Sequence, residues 1–116
     1  MAKHLNTGIK GELLAVEYLE QKQYKILHRN WRNRHWELDI IASKGQILHF
    51  IEVKTKTTNN YGFPEEAVTK RKFKYLVAAA EMYLIENPEW ERIQFDVLAI
   101  TLKPKITFFF IEDLYL

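Results

Sequence analysis

Trp36-Glu37-Leu38-Asp39-Ile40-Ile41-Ala42-Ser43-Lys44-Gly45-Gln46-Ile47-Leu48-His49-Phe50-Ile51-Glu52-Val53-Lys54 decides how this chain is read. Two runs rich in apolar and β-branched residues flank a glycine-bearing turn, which is the pattern of a β-hairpin. A two-residue turn at Lys44-Gly45 sets Ser43 opposite Gln46, Asp39 opposite Phe50 and Glu37 opposite Glu52. Alternation along the second strand places Leu48, Phe50, Glu52 and Lys54 on one face and Ile47, His49, Ile51 and Val53 on the other. Asp39 then lies diagonal to Glu52, within reach of a shared metal ion. Facing carboxylates in otherwise apolar strands repel each other, and a bound divalent cation makes such a cluster favourable.

Upstream, Asn6 or Thr7 can cap a helix running to about Gln21, with Ile9, Leu13, Val16 and Glu20 along one stripe and Ala15 and Leu19 widening it. Glu12 falls between Val16 and Leu19 on that stripe, so a carboxylate points toward the core and needs a partner. Tyr24 to His28 reads as a strand, followed by the polar run Arg29 to Arg34. Downstream, an Asn-rich loop leads to Pro64-Glu65-Glu66, a good helix start, and Ala67 through Ile85 reads as a long helix stopped by Asn87-Pro88. Two strands follow, Ile93 to Thr101 and Ile106 to Ile111. The expected fold is α/β (α+β), a single domain over residues 1–116, with a mixed five-stranded sheet flanked by helices in the order α-β-β-β-α-β-β.

At 116 residues and 47% hydrophobic content, one compact core is the expectation. The absence of cysteine excludes disulfides, thiol catalysis and cysteine-bound zinc, and fits a cytoplasmic setting. His4, His28, His35 and His49 lack the spacing of a metal-binding helix, and no apolar run approaches the roughly 20 residues that span a bilayer. The net charge of +2 hides a division: residues 1–21 carry −1, residues 22–74 carry +7, and residues 75–116 carry −4. A basic block of this kind suits a polyanion, and equally a solvated surface.

Asp39, then Glu52-x-Lys54 on a strand, preceded by the helical Glu12, resembles the PD-(D/E)xK nuclease superfamily, and the helical glutamate makes it similar to archaeal Holliday junction resolvases. Gly8-x-x-Gly11-Glu12, Asn30-x-Arg32, Glu37-Leu38-Asp39-Ile40-Ile41-Ala42, Phe50-Ile51-Glu52-Val53-Lys54, Glu66-Ala67-Val68 and Phe95-Asp96-Val97 together resemble the YraN-like family of bacterial proteins across nearly the whole chain. Two positions depart from the wider pattern. Leu38 stands where a proline precedes the aspartate, and Thr55-Lys56-Thr57 where an arginine is often found.

The resemblance implies a restriction-endonuclease-like fold and a metal-dependent endonuclease hydrolysing phosphodiester bonds in DNA, structured or branched DNA in particular. Asp39, Glu52 and Glu12 would hold Mg²⁺ or Mn²⁺, and Lys54 would complete the catalytic set. Arg29, Arg32, Arg34, Lys56, Lys70 and Lys72 are candidate phosphate clamps. DNA is favoured over RNA only by the resemblance. Each element has a plainer alternative: Glu52 with Lys54 as an exposed ion pair, Glu12 as a salt-bridge or capping carboxylate, Glu37 and Asp96 as hydrogen-bonding residues outside the site. Trp31, Trp36, Phe50, Phe63, Phe73 and Tyr75 read better as core or loop anchors than as base-stacking platforms. The competing functional class is a nucleic-acid-binding module that keeps the fold without hydrolysis. The terminal run from Ile106 to Ile111 suggests a homodimer, with a covered strand as its counterpart.

Overall fold

The computed structural model describes residues 7–58 and 68–114. Helix α1 (Thr7–Gln21) is followed by strands β1 (Lys25–Asn33), β2 (Trp36–Lys44) and β3 (Ile47–Lys56), helix α2 (Lys70–Glu86), and strands β4 (Ile93–Thr101) and β5 (Thr107–Ile111). The expected order is the observed one. All five strands form one sheet in sequence order; β3 and β4 run parallel because α2 connects them, and the other neighbours are antiparallel.

Among the described residues each sheet face carries one helix. On the first, Ala15 and Leu19 of α1 pack with Tyr24, Ile40, Ala42, Ile51, Leu98 and Ile100. On the second, Leu76, Ala79, Ala80 and Tyr83 of α2 pack with Leu38, Ile41, Leu48 and Phe50, with Trp31, Trp36 and Tyr75 at the margin. The aromatics in view are thus anchors, as their composition suggested, whereas Phe63 lies outside the described residues.

Four local expectations change. The β2–β3 turn is Gly45-Gln46, with Lys44 paired to Ile47 and Ile40 to Ile51. Gly45 has φ 63°, and glycine in the first central position is what a type II′ hairpin turn requires. This two-residue shift keeps the faces but carries Glu37 away from Glu52. The first strand does not stop at His28: β1 continues through the polar run to Asn33 and turns through Arg34-His35 into β2, with Arg34 at φ 57°. As an edge strand it tolerates charge that a central strand would not. The buried stripe of α1 is Gly11, Ala15 and Leu19, leaving Ile9 and Leu13 about half exposed. Helix α2 begins at Lys70, capped by the Thr69 hydroxyl accepting from the Lys72 N–H at 3.1 Å, and not at Ala67. The proposed start at Pro64-Glu65-Glu66 and the Asn6 cap lie outside the described residues.

In β5, Phe108 stacks on Tyr18 at 4.5 Å and Phe110 packs edge-on to it, so these alternate residues are covered by α1, while Phe109 and, just before the strand, Ile106 are exposed. Among the described residues no helix is long and apolar enough to cross a membrane.

Gly11 sets how closely α1 approaches the sheet. A Cβ there would run into Thr55 Oγ1 and stand 2.8 and 2.9 Å from Thr55 Cβ and Cγ2. Gly11→Ala gains about 1 kcal/mol of helix propensity. Lifting the helix off β3 costs more, so a net loss of about 1–2 kcal/mol is expected in urea unfolding. Thr55→Ala in the same chain should recover part of that loss; an unchanged or raised stability for Gly11→Ala alone would show that the helix does not seat on Thr55.

Candidate active site

At one end of the sheet the ladder divides. The β2–β3 pairing ends at Ile40 and Ile51, while β1 stays paired to β2 as far as Asn33–Trp36 and β3 to β4 as far as Lys56–Thr101. Asp39 and Glu52 are the next residues beyond the last β2–β3 pair, so they stand across from each other directly instead of diagonally. Alternation in β2 is also interrupted here: Leu38 and Ile41 both pack toward α2, and Asn30, across from Asp39 in register, has φ 53°. The irregularity frees the Asp39 side chain to cross to β3, where its Oδ2 accepts from the Val53 N–H at 2.8 Å.

The Asp39 and Glu52 carboxyls come close enough for a hydrogen bond when one is protonated. Burial, and next the charge of Glu52, push the Asp39 pKa from its usual 3.8 up to about 6, against the opposing pull of the Val53 N–H. Glu52 is 6% exposed, and its Oε2 is met by Lys72 Nζ at 3.4 Å and by Lys54 Nζ at 3.6 Å.

Asp39 also lines a cleft of about 350 Å³ with Gly8, Ile9, Glu12, Asn30, Val53 and Thr55. Glu12 therefore approaches from α1 as the helical stripe implied, but it is held by Arg29 Nη2 at 3.1 Å. Among the described residues no three His, Asp or Glu side chains are gathered tightly enough to hold a metal ion by themselves. The donor set on view is a pair, Asp39 and Glu52, with Glu12 across the cleft. Two crowded, partly desolvated carboxylates with oxygen-only donors suit a hard cation that keeps several waters, as Mg²⁺ or Mn²⁺ does.

The other candidates are dispersed. Arg29 is engaged with Glu12, and Arg32 lies 3.4 Å from Glu37 on the exposed hairpin, which gives Glu37 its partner well away from Glu52. Arg34 sits in the β1–β2 turn, Lys56 closes β3 and Lys70 opens α2. Asp96 is not part of the cleft: it is buried against His49, Oδ2 to Nδ1 2.7 Å, and its Oδ1 accepts from Gln94 Nε2 and the Asp113 N–H, each at 2.9 Å. Sequence reasoning missed Tyr75 as an organiser of the site. Its hydroxyl donates to the His35 carbonyl at 3.1 Å and accepts from the Glu37 N–H at 2.8 Å, pinning the β1–β2 turn to α2. Its spacing three residues after Lys72 was the available signal.

The raised Asp39 pKa has a definite pH signature. The folded state holds the proton more tightly than the unfolded chain, so this group favours folding below pH 4 and that contribution is lost as pH rises through 6. Two pK units correspond to at most about 3 kcal/mol. In metal-free protein, the stability difference between Asp39→Asn and wild type should therefore shift in favour of the variant between pH 4 and 7. A pH-independent difference would mean that Asp39 titrates normally.

Comparison with known proteins places the chain in a family. Residues 11–100 match the model of "Uncharacterised protein family UPF0102". A UPF0102 protein of Bacteroides fragilis is 42% identical over 100 residues, covering 86% of this chain and 83% of its own. One from Syntrophomonas wolfei is 47% identical over 94 residues, covering 80% and 82%, and one from Cytophaga hutchinsonii is 46% identical over 100 residues, covering 85% and 88%. With the family match spanning both helices' packing faces, the divided end of the sheet and β4, the chain belongs to the UPF0102, or YraN, family.

Proposed function

We propose that this protein is a metal-dependent endonuclease that hydrolyses phosphodiester bonds in DNA, with structured or branched DNA as the preferred substrate. The observation that carries the reading is the Asp39–Glu52 pair at the fork of the sheet, where burial and next the charge of Glu52 raise the Asp39 pKa to about 6 although Lys54 and Lys72 stand beside Glu52. Repulsive carboxylates are costly in a structural site and useful in one that takes up a cation. Asp39 and Glu52 would hold Mg²⁺ or Mn²⁺, with Glu12 completing the outer coordination from α1. The ion, once bound, supplies an acidified water and charge neutralisation at the phosphate.

The remaining work falls to the chain's own groups. Lys54, 41% exposed in its side chain, has the freedom to swing from Glu52 to the substrate, where its ammonium orients the attacking water or stabilises charge on the phosphoryl oxygens. The β1–β2 hairpin, with Arg32 and Arg34, and the start of α2, with Lys70, lie on the flanks of the same end of the sheet and would grip backbone phosphates without reading sequence. A second copy of the chain, joined along the β5 edge where Phe109 is exposed, would supply the second cut that a branched junction needs.

The test is a panel of branched, flapped, duplex and single-stranded DNA and RNA incubated with Mg²⁺, Mn²⁺ or EDTA. Metal-dependent cleavage of DNA, abolished by EDTA, is the expected result. Tight binding of the same substrates with no cleavage under any metal would give the protein to the other reading, a nucleic-acid-binding module. The engagement of Glu12 by Arg29 favours that alternative.

A further inference from the structure

Lys72 reaches the carboxylate pair from α2, on the side opposite to Glu12. It sits in the first turn of the helix, and its Nζ is 3.4 Å from Glu52 Oε2, as near as the strand lysine Lys54 at 3.6 Å. Its ammonium also stands 4.9 Å over the ring of Tyr75. Tyr75 is fixed in turn by its two hydrogen bonds to the β1–β2 turn, so the position of Lys72 is set by the same contacts that close the hairpin against α2. A lysine that serves only as an outlying phosphate clamp would project into solvent; this side chain is held between an aromatic face and a buried carboxylate.

Glu52, at 6% exposure, needs a positive neighbour when no metal is present. Lys72 also draws the Asp39 pKa downward, so its field reaches both members of the pair. We propose that Lys72 is a tethered counter-cation that holds Glu52 in the metal-free protein and competes with a divalent cation for the same carboxylate. This rests on the metal-site reading given above. With a cation held by Glu52, the Lys72 ammonium would lose its partner, and a phosphate oxygen is the replacement its charge would select. Lys72 is thus a positioning residue that couples metal uptake to substrate capture, and the Tyr75 ring keeps it within reach during the exchange.

Calorimetric titration of Mn²⁺ into wild type, Lys72→Gln and Lys72→Arg at pH 8.5, above the raised Asp39 pKa, tests the competition directly. Removing a partly exposed competitor should tighten Mn²⁺ binding in Lys72→Gln by about five-fold, with Lys72→Arg close to wild type. Metal-free Lys72→Gln should also melt below wild type, and the same substitution should cost nothing further in a Glu52→Gln background. Wild-type binding of Mn²⁺ with Lys72→Gln equal or weaker overturns the role of Lys72 and leaves the metal site standing. An equal loss of stability in both backgrounds overturns it as well, since Lys72 would then act without Glu52. No Mn²⁺ binding by any of the three proteins overturns the metal-site reading together with the competition.

Discussion

Asp39→Asn protein should retain its fold and, on the proposed function, should still bind DNA while metal-dependent cleavage falls by about three orders of magnitude, the scale expected when a metal that would activate water and neutralise phosphate charge is no longer held. Asparagine is nearly isosteric, and its carbonyl can still accept from the Val53 N–H that Asp39 engages at 2.8 Å, so the strand geometry has no reason to change. What disappears is an anionic oxygen donor. DNA affinity should hold or rise, because a negative charge beside the phosphate is removed. Glu52→Gln should cut cleavage as deeply, with a stability loss that Asp39→Asn avoids, since Glu52 is buried between two ammonium groups. Lys54→Ala should lower kcat with little change in metal affinity, because its contribution arises in the transition state. Gel-based cleavage kinetics alongside anisotropy binding distinguish these cases. Asp39→Asn protein that cleaves at the wild-type rate would exclude Asp39 as a ligand.

The largest expected effect on stability lies away from the cleft. Asp96→Ala should cost about 3–5 kcal/mol, the range for removing one partner of a buried polar pair. Asp96 is 1% exposed and serves three groups at once: His49 Nδ1, Gln94 Nε2 and the Asp113 N–H. Truncation leaves the buried His49 nitrogen and the Asp113 amide without acceptors, and the C-terminal segment loses a tie to β4. Asp96→Asn keeps an acceptor in place and should lose much less. Denaturant titration of the two variants decides the matter; equal, small losses would mean that water satisfies these groups in solution.

The fold was legible in the sequence because its elements differ strongly in period. Helix α1 and the strand from Ile47 to Lys54 show their element type in the spacing and run length of their apolar residues. What escaped was set by contacts that spacing does not carry. Gly11 is buried because α1 lies directly against Thr55 of β3, and only the distance between α1 and β3 shows that a glycine, and not Ile9 or Leu13, marks the inward face. The continuation of β1 through Arg29 and Arg32 was not marked by apolar residues because an edge strand needs no continuous apolar face.

Within the site, the identity of the carboxylate pair was legible and its register was not. Which of Lys44-Gly45 or Gly45-Gln46 forms the turn depends on the φ that Gly45 adopts. The two-residue shift moved Asp39 from a diagonal position to one directly across from Glu52, and the break in β2 alternation let its side chain reach β3, whereas Glu37, placed by register alone, went to Arg32. Lys72 looked like one more basic residue until α2 was placed against the sheet.

The forked end of the sheet gives the molecule the mechanics of a calliper. Asp39 rides on one jaw, the β1–β2 hairpin, and Glu52 on the other, the β3–β4 pair, with the last main-chain rung at Ile40 and Ile51 as the pivot. The gap between the two carboxylates is therefore gauged by a side-chain bond to the Val53 amide and by charge, and opening it breaks no rung of the ladder. On the metal-site reading proposed above, a scaffold of this kind would fit its aperture to the ion it held, so ions of differing radius could share one frame.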